Sequence, residues 1–284
     1  MKKLFSIVLA ALMVAALFAG CGSSTAETKA TETTAAPATE AAAPAETEAP
    51  AETEAAAAAF TTIEAGKLIM STNAAFPPYE MVADDGSFEG IDVEIAGAVA
   101  AKLGLELVVD DMDFDAALLA VQQGKSDIVM AGVTVNEDRK MVMNFSDTYS
   151  KGVQVVIVKE GSDVTLDNLG DQMIGTQRGT TGYIYTSGDY GEDHVTAYDN
   201  GASAVQALAN GQVDCVVIDS APAQSFVEAN PGLVILDTEY TSEDYAIGMN
   251  KDNTALLEAI NGALKELTED GTIPAIVEKY IPTK

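Results

Sequence analysis

From residue 68 onward, short apolar runs alternate with stretches in which apolar residues recur every three or four positions. The runs predict strands at Leu68–Ser71, Glu106–Val109, Ile128–Ala131, Val153–Val158, Met173–Gly175, Val195–Tyr198, Cys215–Ile218 and Ala246–Met249. The helical period predicts helices at Ile91–Leu103, Ala116–Gln123, Ala202–Ala209, Ala255–Thr268 and Pro274–Tyr280. Gly104, Gly124, Gly211 and Gly271 stand past helix ends, where a left-handed residue closes a helix without a Cβ clash. This alternation predicts an α/β fold built on mainly parallel sheets.

One pattern occurs twice, LLAVQQGKSDIVM at 118–130 and VQALANGQVDCVV at 205–217. In each, a helix ends at glycine and an aspartate opens a buried strand. Reuse of αβ turn chemistry is one explanation; two similar lobes, each with its own sheet, is the other. Chain order then assigns 60–149 plus 248–284 to lobe 1 and 155–243 to lobe 2. Two crossovers, 150–154 and 244–247, form a hinge suited to closing a cleft.

The N-terminus differs in kind. Lys2 and Lys3 followed by an apolar run to Phe18, too short to span a bilayer comfortably, read as a secretory leader at 1–21. It ends LFAGC, which resembles a lipobox with Cys21 as the lipidated residue, so a lipid anchor on the outer face of the cytoplasmic membrane is expected. Residues 22–59 are dominated by Ala, Thr, Glu and Pro, without one Leu, Ile, Val or aromatic; nothing there can form a core, and a disordered tether is expected. As a flexible chain it reaches roughly 30–40 Å. Cys215 is then the remaining thiol, and inside VDCVVI it reads as core.

Charge narrows the partners. The chain carries −29, and −31 once the leader removes two lysines and no acids. A nucleic-acid partner is excluded, since little here can replace phosphate counterions. DDMDFD at 110–115 lacks the glycine and distant glutamate of a calcium loop, so no metal and no cofactor is expected.

In open parallel sheets ligands sit beyond the carboxyl ends of strands. There this chain places Asn73 and Phe76; Gly132, Thr134 and Arg139; Gln177 and the GTTG turn with Thr181; and Asp219. Arg139 is one of two arginines and offers a planar fork matched to a carboxylate. Thr134 and GTTG can add donors to the same anion. Asp219, beside the Gly132 carbonyl, can hold an ammonium, and the two charges together describe an α-amino acid, with Phe76 and Phe114 as apolar walls. Each residue has a plainer use: Arg139 paired with Glu137 or Asp138 at the surface, Asp219 capping a helix near Ala221, Phe76 as core, Arg178 in solvent.

Along 64–281 the chain also resembles the amino-acid-binding solute receptors of bacterial ABC importers, of the family 3 type. The resemblance rests on FPPYE (76–80), GIDVEIA (90–96), MDFDAALLAVQQGKSDIVMAGVTVNEDR (112–139), NFSDTYS (144–150), RGTTG (178–182) and EDGTIPAIVEKY (269–280), and is nearest to glutamine-binding members. It implies a bilobed periplasmic-binding-protein fold of type II and a monomer that hands a free L-amino acid to permease subunits. It also implies that Arg139, with Thr134 and Thr181, takes the α-carboxylate, Asp219 and Gly132 the ammonium, and Phe76 and Phe114 the side chain. Asn73 stands where the family often has an acid, and Gln177 where glutamine binders have lysine, so a polar or neutral ligand is expected over a cationic one. An enzyme on the same fold, of cyclohexadienyl or arogenate dehydratase type, is the competing class; the sole histidine, His194, sits in a polar turn, and no GxSxG or HExxH is present. A presenter to a separate sensory receptor is a third.

Overall fold

The computed structural model describes residues 60–237 and 239–282; the leader, Cys21 and the tether lie outside them. In chain order the strands are β1 (Lys67–Thr72), β2 (Ala75–Phe76), β3 (Glu80–Val82), β4 (Phe88–Glu89), β5 (Glu106–Asp111), β6 (Ile128–Val129), β7 (Met143–Lys159), β8 (Ile174–Gln177), β9 (Val195–Tyr198), β10 (Cys215–Asp219), β11 (Leu233–Ile235) and β12 (Thr241–Asn250). The helices are α1 (Ile91–Lys102), α2 (Phe114–Gln122), α3 (Glu137–Val142), α4 (Thr181–Tyr190), α5 (Gly201–Ala209), α6 (Ser220–Ala229), α7 (Thr254–Glu269) and α8 (Thr272–Tyr280).

The main sheet runs β5-β1-β6-β12-β7-β10-β8-β9, with β11 also on β7. Its flanks, β5-β1-β6 and β10-β8-β9, are parallel, as the alternation of elements predicts. Its centre is not. The long strands β7 and β12 pair antiparallel with each other and with the flanks, so the expected pair of separate sheets is one sheet continuous through the middle. The β7–β12 register shifts twice, between Tyr245 and Gly248. The antiparallel hairpins β2-β3-β4 form a small second sheet.

The repeated aspartates explain the repeated motif. Asp127 accepts the Ile69 N–H at 2.8 Å, and Asp214 accepts the Met173 N–H at 2.8 Å. Each carboxylate thus ties the start of its own strand to the start of the neighbouring strand, β6 to β1 in one flank and β10 to β8 in the other, where backbone donors would otherwise lack a partner.

Burial follows the apolar pattern. Val155–Val158 are buried on both faces of β7, Leu256, Ile260, Leu264 and Leu267 form the inner stripe of α7, and Ile273 and Ile276 that of α8. Cys215 is buried in β10 with burial raising its pKa to about 12, consistent with a small core residue. The four glycines all hold positive φ. No helix among the described residues is long and apolar enough to cross a membrane.

Candidate functional site

The carboxyl ends of β1, β6, β8 and β10 converge on one pocket of about 300 Å³, part of it open to solvent. All nine candidate ligand residues line it, eight named from the strand ends and Phe114 named as an apolar wall: Asn73, Phe76, Phe114, Gly132, Thr134, Arg139, Gln177, Thr181 and Asp219, joined by Glu80, Ala131 and Thr180.

Arg139 is placed by its helix. Asn136 caps α3 by accepting the Arg139 N–H at 2.8 Å, which turns the side chain inward. The guanidinium is only 7 % exposed and lies 5.4 Å over the Phe114 ring. Nη1 donates to the Thr134 carbonyl at 2.8 Å and Nη2 to the Gly179 carbonyl at 3.2 Å, so the fork touches both flanks of the sheet. The surface pairing with Glu137 is not made; Glu137 pairs with Lys140 instead. Burial lowers the Arg139 pKa, opposed by Glu243, and a guanidinium stays charged under such a penalty where an amine would deprotonate.

Asp219 ends β10 and precedes α6, yet its side chain makes no helix cap. It turns the other way: Oδ1 accepts from the Tyr245 hydroxyl and Oδ2 from Gln154 Nε2 at 2.9 Å. Burial, then the charge of Glu243, pushes its pKa up to about 7. Gly132, between β6 and α3, holds φ +57°, and a Cβ there would stand 2.9 Å from the Phe76 ring. Its N–H donates to Asp92 Oδ2 at 2.9 Å. Only glycine lets the chain turn here with the aromatic wall in place.

The remaining candidates meet across the pocket. Gln177 Nε2 donates to Asn73 Oδ1 at 2.9 Å, and Asn73 Nδ2 to the Met112 carbonyl. The Thr134 and Thr181 hydroxyls are 3.4 Å apart. Thr180 caps α4, so the helix begins at Thr181 and its first N–H groups are left for an anion. Arg178 does not join them. It is half exposed, beside Asp199 and the Ala197 carbonyl.

Five functional candidates escape the strand-end reading. Glu80, inside FPPYE, is fully buried at the pocket wall; burial, then the charge of Asp92 and a hydrogen bond shared with it, hold its carboxyl well above the usual range. Asp92 is likewise buried and raised to about 6. Gln154, Glu243 and Tyr245 come from β7 and β12 and reach the site from behind. Gln154 did carry a signal, a lone amide in the apolar run GVQVVIV; Glu243, in a polar stretch, carried none.

A buried guanidinium, Arg139, and two buried carboxyls, Asp219 and Glu80, thus line one pocket. The family model of the bacterial extracellular solute-binding proteins, family 3, matches residues 68–283. A probable histidine-binding protein of Neisseria gonorrhoeae is 32% identical over 231 residues, 78% of this chain and 86% of the relative. An ABC transporter glutamine-binding protein of Bacillus subtilis (strain 168) is 28% identical over 99% of this chain and 98% of its own. Among solved structures, an ancestral arginine-binding protein bound to glutamine superposes with TM-score 0.73 at 38% identity, over 77% of this chain and 99% of the other. The same ancestral type bound to arginine gives 0.72 at 39%, over 76% and 98%.

Proposed function

Because the chain belongs to family 3 of the bacterial extracellular solute-binding proteins, we propose that it captures one free L-amino acid between two lobes and delivers it to the permease of an ABC importer. The observation that carries this is the placing of a buried guanidinium, Arg139, and a buried carboxyl, Asp219, in one pocket. The α-carboxylate lies against the Arg139 fork and the free N–H groups of α4. The α-ammonium lies against Asp219. Phe76 and Phe114 flank the side chain.

Glu80 directs the choice of ligand. The preference for polar or neutral side chains came from Asn73 and Gln177 and left Glu80 out of account. A buried carboxyl whose polar neighbour is another buried carboxyl, Asp92, is costly to ionise, and a cationic side chain removes that cost. We therefore favour a basic amino acid, with the Gln177 and Asn73 amides beside its head group. Arginine fits best, since it pairs in a plane with a carboxylate.

The lobes are 60–149 with 248–284, and 155–243, joined at 150–154 and 244–247. The two parallel flanks and the antiparallel β7–β12 join support this division. Binding closes the lobes because Arg139 and Asp219 belong to different ones, so only the closed form satisfies both ends of the ligand. The chain is read as a monomer anchored through Cys21 outside the cytoplasmic membrane. It is no enzyme on this reading; turnover of prephenate or arogenate would say otherwise.

A thermal-shift panel of the twenty amino acids tests the proposal. A ligand at a hundred times its Kd adds about 2.7 kcal/mol of stability. Arginine is expected to raise the Tm most. If no amino acid raises it, the receptor reading fails; if glutamine outdoes arginine, the role given to Glu80 fails.

A further inference from the structure

Behind the ligand-facing residues lies a second polar layer, carried wholly by the two long central strands. Gln154 of β7 is fully buried, and its single amide nitrogen donates to Asp219 Oδ2 at 2.9 Å and to Glu243 Oε2 at 3.0 Å. Glu243 of β12 is 6 % exposed, and the same Oε2 accepts from the Thr134 hydroxyl at 2.9 Å. Tyr245, two residues on, reaches the other oxygen of Asp219. One chain of hydrogen bonds therefore runs from Asp219 on one flank of the sheet, through Gln154 and Glu243, to Thr134 on the other flank.

Its composition is odd for a core. Two carboxyls share one neutral amide, no salt bridge is made by either among the described residues, the Tyr185 hydroxyl and the Arg139 charge stand near Glu243, and Gln154 Oε1 makes no hydrogen bond. Two apolar residues would fill such a place at lower cost. A network of this kind is retained where it fixes geometry.

Resting on the amino-acid reading, we propose that Gln154 and Glu243 are positioning residues for the ligand, which hold the ammonium receptor Asp219 and the carboxylate-side Thr134 in one frame across the join between the lobes. Aiming the two receptors and seating the two flanks against each other are then one event. The negative charge of Glu243 also sets when Asp219 is ready: burial and Glu243 hold the Asp219 proton on toward neutrality, and the ammonium can be paired only once that proton has left. The other groups facing Asp219 are Tyr245, Tyr79, Glu80, Tyr185 and Arg139, and of these only Arg139 is a cation.

Calorimetric titration of the full chain with L-arginine and with L-glutamine, from pH 5.5 to 8.5, tests this. For the tighter of the two, wild-type affinity is expected to fall as pH drops through about 7, approaching tenfold per pH unit. Glu243→Gln keeps the shape and both accepting contacts but not the charge, so the fall should begin about one pH unit lower. Gln154→Met should weaken binding at pH 8 at least tenfold. A residue that merely fills space would move neither midpoint nor affinity. If Glu243→Gln titrates like the wild type, the role of the Glu243 charge in setting Asp219 is overturned, and a folded Glu243→Leu that binds within threefold overturns its positioning role. Affinity within threefold in a folded Gln154→Met overturns the role of Gln154. Failure of the wild type to bind either probe removes the amino-acid reading itself, and this inference with it.

Discussion

At the scale of the residue, the site depends on what each group can do once water is removed. Arg139 spends two donors on the Thr134 and Gly179 carbonyls and has others free in the plane for a carboxylate. Lysine has neither the plane nor the reach to hold both carbonyls and a ligand. Arg139→Lys is therefore expected to cost about 2 kcal/mol or more, some thirtyfold in Kd. Retention within threefold would remove the fork from the account. Glu80 makes the complementary prediction. Glu80→Gln keeps the volume and drops the charge, so arginine affinity should fall at least tenfold while glutamine affinity moves little; equal losses for both would mean that Glu80 serves shape alone. Of these two residues, Arg139 was legible in the sequence because its type is rare here and its chemistry specific. Glu80 was not, since one glutamate among 44 acidic residues announces nothing until its burial is seen.

At the scale of the element, the predicted strands and helices form within about two residues of their expected bounds, except β7 and β12, and β12 begins at Thr241 rather than Ala246. Periodicity did not predict helices α3, α4 and α6, and the departures come from turns and from distant pairing. β6 is only Ile128–Val129, because Met130 and Ala131 already turn toward Gly132. β7 extends back from Val153 to Met143 through NFSDTYSKG, a stretch with no strand period, because β12 pairs with it from nearly a hundred residues away. Pairing partners supply backbone hydrogen bonds that no local pattern can foretell. Gly152 on β7 shows how closely these strands serve the site. A Cβ there would meet the Tyr245 hydroxyl at 2.4 Å and Asp219 Oδ1 at 2.7 Å, in an extended strand that alanine otherwise tolerates. Gly152→Ala should thus move Asp219 and weaken amino-acid binding at least tenfold, with a smaller effect on folding. A variant that lost stability and kept its affinity would refute this.

At the scale of the whole molecule, several buried carboxyls hold protons too tightly for an acid. Asp92 is raised to about 6 and Asp219 to about 7, both chiefly by burial, and Glu80 is raised as well, also chiefly by burial. Between the unfolded carboxyl range near pH 4 and these values, the folded state binds more protons than the unfolded one, so stability falls as pH rises. The ligand-free protein should then melt higher at pH 5.5 than at pH 7.5, while ligand-induced stabilisation should be larger at pH 7.5. The opposite order in the free protein would mean that these carboxyls are ionised. Closure is tested by small-angle scattering: a saturating amino acid should reduce the radius of gyration, and an unchanged value would argue against two lobes. By itself the sequence determined the α/β class, the paired Asp-led strands, and the strand-end residues that line the pocket, because each depends on local period or on chemistry that few residue types possess. Only the tertiary structure decided that the flanks join through one central sheet, that Arg178 stays at the surface, that Glu80 lines the pocket, and that Gln154, Glu243 and Tyr245 bond to residues lining it. Their roles depend on burial and on partners distant in sequence, which a linear pattern does not contain.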